Sequence, residues 1–168
     1  MIRKIIGGLS AFAIMVLLLV QSVRGQESLT VKNEIETYLK EIKIESKKYR
    51  RLWAKDLYAP ILLVNPNTRK VFANFADTND ALKKDGNIYS GTLPDEINIA
   101  NTAIDWNGRR WAMLMLPLPA DKFERINLLA HELFHVSQPA LGFKLFNTDN
   151  NHLNRKDGRI YLRLELEA

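Results

Sequence analysis

The stretch NLLAHELFHVSQ, residues 127–138, decides how the rest of the chain is read. It places His131, Glu132 and His135 in the spacing His-Glu-x-x-His. Just upstream, Asp121 with Glu124 three residues on has the form of a capping box, and Pro139 supplies a stop. Between them Phe123, Ile126, Leu129, Ala130, Leu133 and Phe134 form an apolar stripe at helical spacing. The pattern predicts one amphipathic helix of about four to five turns carrying the motif.

Residues four apart on a helix lie on one face, so His131 and His135 can present two imidazole nitrogens to a single ion. Glu132 is rotated about a third of a turn away, where a carboxylate reaches a water on that ion without binding the ion itself. Zinc lowers the pKa of such a water to roughly 7, and the carboxylate takes its proton as a carbonyl is attacked, then passes it to the leaving amine. The bland alternative is an accidental match on an ordinary amphipathic helix. Chance gives this pattern about once in several hundred chains of similar length, so the weight rests on context.

That context begins with IANTAIDWNGRRWAMLML, residues 99–116. Asn107-Gly108 is the favoured pair for a two-residue hairpin, because both central positions need positive φ. The turn sets Trp106 against Arg109, Asp105 against Arg110 and Ile104 against Trp111. These would be an aromatic over a guanidinium, an ion pair, and a β-branched residue beside an aromatic. Further upstream, APILLVNPNTRKVFANF (59–75) reads as two short strands around an Asn-Pro-Asn-Thr turn, and residues 77–87 read as polar loop. Val31, Ile35, Tyr38, Leu39, Ile42, Tyr49 and Leu52 fall near helical spacing and predict a long amphipathic helix over 28–53.

The chain opens with Arg3 and Lys4, an apolar run from Ile5 to Val20 and then small and polar residues, the layout of a secretory signal peptide cleaved before Gln26; the alternative is an uncleaved membrane anchor. Residues 26–168 are then one exported domain, periplasmic or extracellular, meeting the membrane only during export. The formal charge of +5 shrinks accordingly: 24 cations lose Arg3, Lys4 and Arg24, leaving 21 against 19 acids, or +2. So slight an excess does not point to nucleic acid, and the basic run KKYRR at 47–51 reads as a solvated helix side. Cysteine is absent, so the domain relies on its core, assisted by any bound metal.

HELFH on a helix, after a strand hairpin, resembles the zincin superfamily of metallopeptidases over roughly residues 88–168. The resemblance implies His131 and His135 as zinc ligands, Glu132 as general base and a peptide or protein as substrate. A catalytic zinc usually has three protein ligands and an open position. The metzincin continuation is missing, since Gln138 and Leu141 stand where its glycine and histidine would be. The gluzincin, or thermolysin-like, branch takes its third ligand from a glutamate on a later helix, and the tail DGRIYLRLELEA offers Glu165, with Glu167 beside it.

That tail alternates like a strand, yet Leu, Arg, Glu and Ala favour helix and β-branched residues are scarce, so helix is expected. Glu165 is preferred because apolar neighbours flank it. His152, in the polar loop NTDNNHLNRKDG, is the rival ligand; Tyr161 is read as packing or as an oxyanion donor, and Asp149 and Asp157 as turn residues, with Asp157 also a helix cap. The chain reaches Ala168 three residues beyond Glu165, where thermolysin-like enzymes carry a further helical region, so a minimal or C-terminally incomplete peptidase is expected.

The expected fold is therefore α+β and zincin-like: a long N-terminal helix, a small mixed β-sheet with the 99–117 hairpin, the HExxH helix and a C-terminal ligand helix. The expected function is zinc-dependent peptide-bond hydrolysis, with a substrate strand adding along Trp111–Leu116 should the hairpin's free edge border the cleft. A metal-dependent hydrolase of other substrates, and a non-catalytic or truncated cell-envelope binding module, are the alternatives.

Overall fold

A computed structural model describes residues 29–48, 50–142 and 155–167. The chain divides into two compact units, Met1–Ser137 and Gln138–Ala168. The signal-peptide reading, His152 and Asp149 lie outside the described residues.

In the first unit a helix over residues 29–48 (α1) and a short helix Arg50–Trp53 (α2) occupy the expected amphipathic segment. Six strands follow: β1 (Ile61–Val64), β2 (Lys70–Ala73), β3 (Lys83–Asp85), β4 (Ile88–Thr92), β5 (Thr102–Trp106) and β6 (Arg109–Met115), and then helix α3 (Lys122–Ser137). They form one sheet in the order β3-β4-β2-β1-β6-β5, antiparallel everywhere except at β1–β6. The class is thus α+β with a mixed sheet.

The strand β3 departs from the expected 77–87 loop. Lys83, Lys84 and Asp85 carry no apolar alternation, and their extended form comes from pairing with Ser90, Tyr89 and Ile88 of β4. The turn Asn65–Thr68 behaves as expected: the Asn65 side chain accepts the Asn67 and Thr68 N–H groups, and β1 pairs antiparallel with β2. Central β1 is buried on both faces, as a strand covered on each side must be.

One face of the sheet offers Ile61, Leu63, Phe72, Ile88, Ala112 and Leu114 to both long helices, which contribute Ile35, Tyr38, Leu39, Ile42, Leu129 and Leu133. The opposite face buries Leu62, Val64, Val71, Ala73, Trp111 and Met113 under loop residues such as Leu82 and Leu93. Arg69 holds that cover in place, donating from Nε to Leu93 O at 3.0 Å and from Nη2 to Ile97 O at 2.6 Å and to Pro94 O.

The hairpin has the expected register, Trp106 with Arg109, Asp105 with Arg110 and Ile104 with Trp111, and Asn107 and Gly108 take φ of 45° and 72°. Trp106 does not cover Arg109. It is buried and tilts onto Trp111, ring centroids 6.3 Å apart, while Trp111 Nε1 donates to Trp106 O. Burying two indoles outweighs one exposed cation–π contact. A second chain segment locks the turn: Asp77 accepts the N–H groups of Asn79, Ala81 and Leu82 and the Asn107 amide, and Thr78 donates to Asn107 O. A Cβ on Gly108 would stand 2.1 Å from Thr78 Oγ1, so both this contact and the positive φ require glycine.

In the second unit a 3-10 turn, Gln138–Leu141, contains Pro139, and α4 spans Lys156–Glu167. The tail is helical, as expected. Asp157 lies inside the first turn, paired with Arg155 at 2.9 Å, and so is a first-turn acid rather than a cap. No described helix is long and apolar enough to cross a membrane.

Candidate metal centre

Helix α3 carries the motif and packs on β6 and β5. Its start matches the sequence: Asp121 Oδ1 accepts Glu124 N at 2.9 Å, and Asp121 O accepts Arg125 N at 3.0 Å. The buried face is turned from the expected stripe. Leu129 and Leu133 are buried, but Phe123 is 73% exposed and Ala130 is exposed, and the remaining buried positions are Arg125, Glu132 and Ser137. Of the two charged residues in apolar-looking places, Arg125 is held by Glu41 and three backbone carbonyls, which hydropathy does not encode.

His131 is exposed and His135 half-buried, and their Nε2 atoms stand 3.0 Å apart with the rings edge-on. Two nitrogens on one tetrahedral zinc, each at 2.0–2.1 Å, are about 3.3 Å apart. At 3.0 Å the two nitrogens are within hydrogen-bond distance of each other, and opening the pair by about 0.3 Å would bring it to the separation of two ligands on one zinc. Glu132 is 4% exposed, and its Oε2 is buried with no hydrogen-bond partner among the described residues. It stands about 60° round the helix from His135, on the buried side with Leu129 and Leu133. A buried carboxylate oxygen without a partner costs about 1–3 kcal/mol or more, and a bound water or ion beside it is the usual compensation.

Geometry and donor chemistry therefore fit a cation with an adjacent water. Among the described residues no group of three or more His, Cys, Asp or Glu converges on one point. Glu165 is on α4, as the sequence reading placed it, and its side chain, like that of Glu167, lies outside the described set. Tyr161 is 68% exposed and does not serve as packing.

The expected substrate edge moves by one strand. β6 is paired with β1 over Ala112–Met115 and with β5 up to Met113, so Trp111–Met113 offers no free edge, and beyond it Met115 N donates to Asn101 Oδ1 at 2.8 Å. Among the described residues the unpaired edge on this side of the sheet is that of β5. Ala112 N donates to Pro60 O at 2.8 Å, away from β5, so its antiparallel partner Ala103 is in a non-hydrogen-bonded pair and points its own N–H and C=O outward. Asp105 shares that parity. The opposite edge is guarded by Lys83, Lys84 and the Lys32–Asp85 ion pair, whereas β5 carries neither lysine nor proline.

No protein-family model matches this sequence, and no curated protein or solved structure matches it either.

Proposed function

We propose that the chain is an exported zinc-dependent peptidase with a zincin-like arrangement, His131 and His135 holding the metal and Glu132 acting as general base. The observation that carries this reading is the juxtaposition on α3 of two imidazole nitrogens 3.0 Å apart with a buried carboxylate oxygen, one residue along, that has no hydrogen-bond partner among the described residues. Bound zinc would supply Lewis acidity toward a water and a carbonyl. Glu132, buried on α3, takes a proton from water and returns it to the leaving amine. The free edge of β5 receives an extended peptide through the outward N–H and C=O groups of Ala103 and Asp105, which fixes the scissile bond beside α3. Glu165 is the proposed third ligand, with Glu167 and His152 as rivals.

The test is zinc content of the purified chain beside His131→Ala, Glu165→Ala, Glu167→Ala and His152→Ala, followed by cleavage of a peptide library. Near one zinc per chain, lost with His131→Ala and with Glu165→Ala alone, supports the proposal. A wild-type chain that retains no zinc and cleaves nothing refutes it and leaves the binding-module alternative. Ala103→Pro removes one outward N–H from an edge strand, a place where proline is tolerated. It should weaken cleavage with zinc content unchanged; unchanged cleavage refutes strand addition.

A further inference from the structure

Arg125 is the second charge on the buried face of α3, 7% exposed, about one and two-thirds turns before His131. Nη1 donates to Pro119 O at 2.8 Å, Ala120 O at 2.9 Å and Asp121 O at 3.4 Å. Nη2 and Nε donate to Glu41 Oε2 on α1 at 2.9 and 3.3 Å. The guanidinium lies 4.4 Å from the Tyr38 ring centroid, and the Tyr38 hydroxyl donates to Glu34. One side chain thus ties together the segment leaving β6, the first turn of α3 and the middle of α1.

A buried ion pair contributes little net stability, because desolvation consumes most of its Coulombic gain. Its directional bonds do something that apolar packing does poorly. Ile126, Leu129, Leu133 and Val136 meet the core as a near-periodic ridge, which tolerates small rotations and slips of the helix along its axis. Six hydrogen-bonded and stacked contacts converging on one planar group do not. Metal ligation needs distances held within about 0.2 Å.

We infer that Arg125, with Glu41, is a positioning residue that sets the rotation and axial height of α3 and so the placement of His131, Glu132 and His135. Its effect on metal affinity rests on the metal centre proposed above; its effect on helix placement does not. The experiment compares the full chain with Arg125→Met, Glu41→Gln and Val71→Ala, the last a core truncation on the sheet face away from α3. In the metal-free proteins, backbone amide resonances of residues 129–137 should move in Arg125→Met and, less, in Glu41→Gln, and stay in place in Val71→Ala. Zinc affinity by chelator competition should fall about ten- to a hundredfold in Arg125→Met and remain at the wild-type level in Val71→Ala. Should Arg125→Met not fold, Glu41→Gln carries the comparison. Unmoved amides in both α1–α3 variants, or equal movement in Val71→Ala, overturn the inference. Moved amides in a chain whose wild type takes up no zinc leave helix positioning intact and refute the metal centre instead.

Discussion

Replacing Asp77 by alanine removes a carboxylate that accepts three backbone N–H groups, from Asn79 at 3.2 Å and from Ala81 and Leu82 at 3.0 Å, as well as the Asn107 amide at 3.0 Å. The Leu82 donor is buried and would be left without a partner, at about 2–3 kcal/mol, while the others can turn to water at a few tenths each. The total is about 3 kcal/mol. With a urea slope of about 1.5 kcal/mol/M the denaturation midpoint falls by about 2 M, the slope itself unchanged. Asp77→Asn keeps one acceptor oxygen and should lose about half as much.

The pH dependence follows from the same bonds. Burial alone would raise the Asp77 carboxyl, but the N–H donors of Leu82, Ala81 and Asn79 and the Asn107 amide outweigh it and hold the group below the usual carboxylate value. A folded-state value below the unfolded one, near 3.9, means that the contribution is complete above that pH and is lost as pH falls through the folded value. The stability gap between wild type and Asp77→Asn should therefore be widest at neutral pH and narrow on acidification below about pH 4. A loss under 0.5 kcal/mol in Asp77→Ala, or a gap independent of pH, would show that this carboxylate does not hold the hairpin turn.

Gly108→Ala should cost more than Gly142→Ala in equilibrium unfolding: both have positive φ, but an added methyl meets Thr78 only at Gly108, so the excess over the backbone cost of about 1–2 kcal/mol measures that clash. Glu132→Met replaces a carboxylate whose buried Oε2 has no partner among the described residues by an apolar side chain, so the metal-free chain should gain about 1–3 kcal/mol while the proposed peptide cleavage is abolished; a loss of stability would reveal a partner for the carboxylate. Zinc at a hundred times its dissociation constant should stabilise the wild type by about 2.7 kcal/mol and leave His131→Ala unmoved in a thermal scan.

Features set by neighbouring residues could be read from the chain alone. Asn107-Gly108 fixed the β5–β6 register, Asp121 the start of α3, and the helix formers the nature of the tail. Features set at a distance could not. β3 is a strand because β4 pairs with it, β6 loses its free edge because β1 pairs with it from fifty-one residues away, and Arg125 is buried because Glu41 and three carbonyls receive it. The His-Glu-x-x-His spacing was evident in the order of residues; the burial of Glu132 emerged only from the folded structure.

The parallel junction also governs the order of assembly. Both hairpins flanking it, β1–β2 and β5–β6, close over short turns, whereas joining Ile61 to Ala112 closes a loop of fifty-one residues, at about 3.5 kcal/mol of chain entropy before any sheet contact repays it. This junction, with the still longer-range packing of α1 against α3, makes folding slower than the helix content suggests. Until the junction forms α3 has only half a floor to rest on, so the two histidines are brought to their final setting at the end of folding rather than the beginning.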